Sequence, residues 1–175
     1  LIIMLNGAYG VGKTSVAERL VEIIENAMIF DPEEVGFMLR QLIPENVKLD
    51  QEKTDNFQDY ILWKTLTVQV AEQIKDTYQK HLIVPMTVFN KEYLQFIRNG
   101  FEKIDKDTFH FCLTATQDTI HDRLIERGET EGNWCFQQTT KCLQAFDDEM
   151  NEVKIDTEKK SVEELVHEIL LTLNQ

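Results

Sequence analysis

The sequence predicts an α/β fold, a parallel sheet of five strands with helices on both faces. Three observations carry that expectation. Short apolar runs alternate with longer stretches of helical periodicity, a pattern that places covering helices on a sheet buried on both sides. The first apolar run leads into a glycine-rich loop and then a helical stretch. Helix-start signals follow the second and fifth runs, at Asp31-Pro32 and at Ser161.

The loop is Gly7-Ala8-Tyr9-Gly10-Val11-Gly12-Lys13-Thr14, which fits G-x-x-x-x-G-K-[ST]. It follows the apolar run Leu1–Leu5, strand one, and precedes a helix from about Lys13 to Asn26. Glycines let successive backbone N–H groups turn inward toward phosphate oxygens. The new helix presents its unpaired N–H groups and positive dipole end to the same anion. Gly7 to Ser15 are therefore read as the nucleotide-binding segment. Lys13 reaches the terminal phosphates, and the Thr14 hydroxyl is placed to ligate Mg²⁺. The alternative is a glycine-rich strand-to-helix turn with no ligand. Four fixed residues in the right context argue against it.

The remaining elements follow in order. Ala27–Phe30 reads as strand two. Asp31 caps a helix with Pro32 at its first position, and that helix stops near Pro44. Residues 45–55 read as a polar loop. Helical pattern runs from Asn56 to Lys80, about 37 Å if unbroken, so a break is expected within it. His81–Met86 reads as strand three, with Pro85 expected at its exposed end because Pro cannot donate within a ladder. A helix around Lys91–Asn99 is expected to stop at Gly100. Thr108–Thr114 is strand four, Asp118–Arg127 a helix, and Gly128–Asn133 a polar break. Cys135–Glu149 reads as helical and Glu152–Asp156 as strand five. Ser161-Val162-Glu163-Glu164 forms a capping box for a last helix to about Leu173.

At 175 residues the chain is expected to form a single domain, residues 1–175. A net charge of −13 argues against nucleic-acid partners and against attachment to an anionic membrane surface. It also makes each cation near the loop informative. No apolar run reaches the roughly 18 residues of a membrane span, and Leu1–Leu5 is too short for a signal segment. Cys112, Cys135 and Cys142 show neither pairing nor metal-ligand spacing, which favours a reducing, cytoplasmic setting. The four histidines are scattered. Nothing in the sequence separates a monomer from a homodimer.

In such a sheet, ligands bind beyond the carboxyl ends of the strands. Asp31, directly after strand two, is a candidate base for an acceptor hydroxyl or an organiser of Mg²⁺; simple helix capping is compatible with either. Glu34 is the reserve carboxylate. Arg123 and Arg127 share a helix face before the polar break, where they can close over phosphates; the bland reading is weak ion pairs with Glu126 and Glu129. Trp63 and Trp134 suit core or lid packing more than ligand platforms. Asn90-Lys91-Glu92-Tyr93 is not the guanine-reading N-K-x-D, which disfavours a small GTPase.

The chain resembles nucleoside- and small-molecule kinases of the P-loop NTPase class through the loop and through Arg123-Leu124-Ile125-Glu126-Arg127, which looks like their pre-lid R-x-x-x-R. That resemblance implies a three-layer fold with strand order 2-3-1-4-5 and an arginine-bearing lid, here about residues 128–141. It places Arg123 on adenine, Arg127 on the phosphates, and Thr157-Glu158-Lys159 on the other side of the base. A more specific resemblance is to the tunicamycin resistance protein family. It rests on Asn6-Gly7-Ala8, Asp31-Pro32-Glu33, Gly36-Phe37, Leu39-Arg40, Phe57-Gln58, Tyr60, Leu62-Trp63, Asp76-Thr77-Tyr78 and Leu82–Thr87, with sparser matches at Arg123, Asn133-Trp134 and Cys142. It implies ATP and Mg²⁺ as cofactors and a nucleoside antibiotic or similar small molecule as acceptor. Family members that associate with membranes carry a tail beyond the last helix, and this chain stops at Gln175, so no stable membrane insertion is expected. Lys13, Asp31 and Arg127 are the expected catalytic set, and Arg40, Gln58 and Trp63 the expected acceptor-side residues. The rival reading is an ATP-dependent protein that sequesters a drug without phosphoryl transfer.

Overall fold

The computed structural model describes residues 1–147 and 153–173. Its elements run β1 (Ile2–Gly7), α1 (Lys13–Ile23), β2 (Ala27–Ile29), α2 (Pro32–Leu42), α3 (Ile61–Tyr78), β3 (His81–Met86), α4 (Lys91–Ile104), β4 (Thr108–Thr114), α5 (Gln117–Glu126), α6 (Trp134–Asp147), β5 (Val153–Asp156) and α7 (Val162–Leu173). Every strand pairing is parallel, in the order β2-β3-β1-β4-β5. The expected end of the sixth helix at Glu149 and the start of strand five at Glu152 lie outside the described residues.

Alternate residues of each strand feed opposite layers. Ile2, Met4, Leu82, Val84 and Met86 face α2, α3 and α4. Ile3, Leu5, Ile83, Phe111, Leu113 and Ile155 face α1 and α7. A third cluster, with Cys112, Ile120, Leu124, Phe136 and Cys142, packs α5 and α6 beside β4. Burial on both faces is why the strands read as unbroken apolar runs. β1 lies centrally between β3 and β4, so the loop after it opens at the middle of the carboxyl edge.

The capping signals form as read. The Asp31 carboxylate accepts from the Glu33 N–H at 2.9 Å, with Pro32 opening α2. Ser161 and Glu164 exchange bonds at 3.3 and 2.8 Å ahead of α7. The long helical stretch does break. Phe57–Asp59 forms a 3₁₀ turn, Tyr60 is extended, and α3 starts at Ile61. The buried Glu52, in a short 3₁₀ turn within the expected loop, sets that break. Its carboxylate accepts from the N–H groups of Leu49 and Ile61, both at 3.0 Å.

Two expectations are corrected. Pro85 is buried rather than at an exposed end. The Ile83 carbonyl accepts from Phe30, so Pro85, two residues on, turns its nitrogen to the same side, where β2 has ended and no ladder bond is lost. Gly100 does not stop α4, which continues to Ile104. It is a close-approach site. A Cβ there would lie 2.6 and 2.7 Å from the two γ carbons of Val68 on α3.

That contact yields a stability prediction. Gly100→Ala gains helix propensity but overpacks the α3–α4 contact, and is expected to destabilise by about 1–3 kcal/mol in chemical denaturation. Val68→Ala in the same chain should recover much of the loss. A stabilised Gly100→Ala single variant would contradict the packing.

Candidate functional site

The loop between β1 and α1 is fixed from below before it meets any ligand. Asn6, fully buried, donates to the Val88 carbonyl and accepts from the Val88 N–H, both at 2.9 Å. This pair ties the end of β1 to the segment after β3. Gly7 has φ 151°, and a Cβ would lie 2.6 Å from the Leu113 carbonyl oxygen, so β1 could not pass β4 this closely with a side chain there.

α1 begins at Gly12 without a side-chain cap and without acids in its first turn. Its first N–H groups and dipole end therefore face the cavity unanswered, a geometry suited to an anion. Lys13 folds back so that its ammonium donates to the Gly7 and Ala8 carbonyls at 3.0 and 2.8 Å. Desolvation there pulls its pKa down to about 8. The Thr14 and Ser15 side chains are exposed in the same cavity.

Three adjoining cavities meet at this loop. The phosphate cavity, 420 Å³, is lined by Gly12, Lys13, Thr14, Asp31, Glu33 and Arg127 among others, with the β3 edge Pro85-Met86-Thr87 as its floor. A 540 Å³ cavity lies on the α5 and α7 side, bounded by Val11, Arg123, Glu126, Thr157 and Ser161. A larger one of 760 Å³ lies on the α2 side, bounded by Phe37, Arg40, Lys48, Phe57, Tyr60 and Trp134. Arg127 borders all three. It makes no ion pair among the described residues.

The expected site residues divide accordingly. Gly10, Gly12, Lys13, Thr14, Ser15, Asp31 and Arg127 come together around the phosphate cavity. Arg123 makes no ion pair with Glu126 or Glu129. It donates to the Val11 carbonyl at 3.2 Å, the Thr157 hydroxyl at 2.9 Å and the Thr157 carbonyl at 3.0 Å. It thus holds the loop after β5 against the glycine-rich loop and forms one wall of the 540 Å³ cavity. Arg40 lines the large cavity, its guanidinium over the Phe37 and Phe57 rings at 5.9 and 5.5 Å and donating to the Asp55 carbonyl. Gln58 and Trp63 do not line it. Gln58 donates to the Thr87 carbonyl at 2.8 Å, steadying the β3 edge. Trp63 is a core residue, 1% exposed, its indole N–H donating to the Pro32 carbonyl at 3.0 Å. Trp134 meets Tyr9 edge-on at 5.2 Å, joining α6 to the glycine-rich loop.

Glu33 is the residue that sequence reasoning passed over. It borders both the phosphate cavity and the large cavity, whereas Glu34 is exposed and borders neither. Burial raises the carboxyl groups of both Asp31 and Glu33 above their usual range. The spacing Glu33, Phe37, Arg40 places all three on one face of α2, a signal present in the sequence.

The donor set fits a nucleotide with a hard divalent cation. Lys13, Arg127 and the α1 terminus offer positive charge to phosphates. The Thr14 hydroxyl and the Asp31 carboxylate, whose second oxygen has no protein partner among the described residues, offer oxygen ligands.

Residues 3–144 match the AAA domain family. The chain belongs to that family. Among solved structures, this AAA-domain chain is similar to the tunicamycin resistance protein of Deinococcus radiodurans, with TM-score 0.79, 25% identity, and coverage of 98% of this chain and 94% of that one. The resemblance read from stretches of the sequence thus extends over the whole described fold. It is also similar in fold to a gluconokinase of Sinorhizobium meliloti 1021 (TM-score 0.68, 19% identity, 98% and 90% covered). The APS kinase of Mycobacterium tuberculosis, solved with AMPPNP and APS, gives TM-score 0.64, 16% identity, and 99% and 97% covered. Comparison with curated proteins gives no match. The domain has a P-loop kinase-like fold, and no helix among the described residues is long and apolar enough to cross a membrane.

Lys13 gives the site a testable pH signature. A bound phosphate raises the ammonium pKa, so above about pH 8 binding must take up a proton. ATP affinity is then expected to fall by about tenfold between pH 7 and pH 9 in calorimetric titrations. Lys13→Arg should flatten the profile. An affinity independent of pH in the parent protein would contradict the folded-back, desolvated ammonium.

Proposed function

We propose that this protein is a Mg-ATP-dependent phosphotransferase acting on a nucleoside antibiotic, tunicamycin or a similar small molecule. The observation that carries the proposal is the junction of cavities at Arg127. A nucleotide-sized cleft on the α5 and α7 side leads into the phosphate cavity, and that opens into a separate 760 Å³ chamber. A protein that only hydrolysed ATP would have no need of the chamber.

In this reading the base lies between Arg123 and the loop at Thr157. The phosphates extend across Gly10, Val11 and Gly12 toward Lys13. Lys13 exchanges its two loop carbonyls for phosphate oxygens. Arg127 reaches the same oxygens from the lid side and stabilises charge on the group being transferred. Thr14 and Asp31 would hold Mg²⁺, which when bound neutralises phosphate charge and fixes the geometry of transfer. The acceptor occupies the chamber, with its hydroxyl at the boundary with the phosphate cavity beside Glu33 and its ring system among Phe37, Phe57, Tyr60 and Arg40. The similarity to the Deinococcus radiodurans protein supports tunicamycin as the first acceptor to try.

The test is mass spectrometry of tunicamycin after incubation with the protein and Mg-ATP. A phosphate-sized mass gain is expected with the parent protein and not with Lys13→Ala. Arg127→Ala should lower the rate by about 10²–10³-fold. Tight tunicamycin binding without any mass gain would overturn the transferase reading in favour of sequestration.

A further inference from the structure

The phosphate cavity and the acceptor chamber share three lining residues among the described residues, Tyr9, Glu33 and Arg127. A phosphoryl group moving from nucleotide to acceptor crosses the boundary these three define. Glu33 and Arg127 end in charged groups, which hold water around them. Tyr9 alone brings an aromatic ring to that boundary. The glycine-rich motif leaves its position open, because phosphate contacts there come from backbone N–H groups. A large ring at an open position needs another reason.

The ring is braced on several sides. Trp134, the first residue of α6, meets it edge-on at 5.2 Å. The Lys13 ammonium lies 5.6 Å from its centroid. The phenol lies beside the Thr87 hydroxyl on the floor of the phosphate cavity, and the Thr87 carbonyl is in turn held by Gln58 at 2.8 Å. Resting on the transferase reading above, we infer that Tyr9 is the positioning residue that selects the acceptor over water: its ring packs against a bound acceptor and, while the chamber is unfilled, blocks the approach of water to the γ-phosphate. Both nucleophiles react by the same step. The attacking oxygen forms a bond to the γ-phosphorus as the bond to the bridging oxygen of ATP breaks. The electron pair leaves with ADP, and the proton of the nucleophile passes to solvent. Water is the smaller and more abundant nucleophile, so excluding it is what favours the acceptor. Tyr9 acts by occupying space and takes no part in the proton transfer.

The test is ATP hydrolysis without acceptor, at saturating Mg-ATP, measured beside transfer to tunicamycin. Tyr9→Ala should raise acceptor-free hydrolysis by about tenfold, the scale of one lost aromatic contact. The share of spent ATP that phosphorylates tunicamycin should fall. A merely structural defect would lower both reactions. Tyr9→Phe keeps the ring, and its hydrolysis should rise by less than that of Tyr9→Ala. Trp134→Ala removes the brace and leaves the loop sequence intact; a rise of about threefold is expected, and this variant decides the question if Tyr9→Ala does not fold. Hydrolysis at or below the parent rate in the deciding variant, or raised as much by Tyr9→Phe as by Tyr9→Ala, would overturn the assignment. If the parent protein leaves tunicamycin unmodified, the proposed function fails for that acceptor. The hydrolysis comparison needs no acceptor and still decides the role of Tyr9. A parent and variants that all fail to hydrolyse ATP overturn it.

Discussion

The structure depends on one unfavourable arrangement, a partly buried lysine ammonium held by two carbonyls of its own loop. Burying a cation against neutral partners is costly, and the depressed Lys13 pKa records that cost. An anion relieves it. The uncapped start of α1 has the same character, because its N–H groups lack side-chain acceptors. Both features sit at the centre of the carboxyl edge because β1 is the middle strand. The buried Asn6–Val88 pair and the close passage of Gly7 past β4 keep them there. The scaffold thus holds a positive site open in a chain that is strongly negative elsewhere.

The surrounding elements partition space around that site. Arg123 draws the loop after β5 onto the glycine-rich loop and closes one side. Tyr9 and Trp134 join the same loop to α6 and close another. The broken helical stretch, set by Glu52, turns Phe57 and Tyr60 toward α2 and gives the large chamber its aromatic wall. Arg127, at the end of α5, stands where these spaces meet.

Much of the fold was legible because its signals are local. Apolar runs fixed the strands, and Asp31-Pro32 and Ser161–Glu164 fixed two helix starts through bonds within a few residues. What was not legible depended on tertiary context. Gly100 looked like a helix stop because its role is a contact with Val68, distant in sequence. Pro85 looked like an exposed residue because its tolerance depends on where β2 ends. Trp63 was placed on the acceptor side by the family resemblance, but the Pro32 carbonyl takes its N–H and the core takes its ring. The phosphate half of the site was legible because one contiguous motif builds it. The acceptor half comes from α2, the 50s loops and α6, so no single stretch announces it, and Glu33 was hidden beside the more conspicuous Asp31.

The central claim is that nucleotide phosphates end at the boundary of the large chamber. The most direct measurement is a crystal structure of the protein with Mg-AMPPNP. The account requires the γ-phosphate between Lys13 and Arg127, facing Glu33 and the chamber, with the base beside Arg123 and Thr157. A nucleotide bound with its γ-phosphate turned away from the chamber, or with its base inside it, would contradict the account.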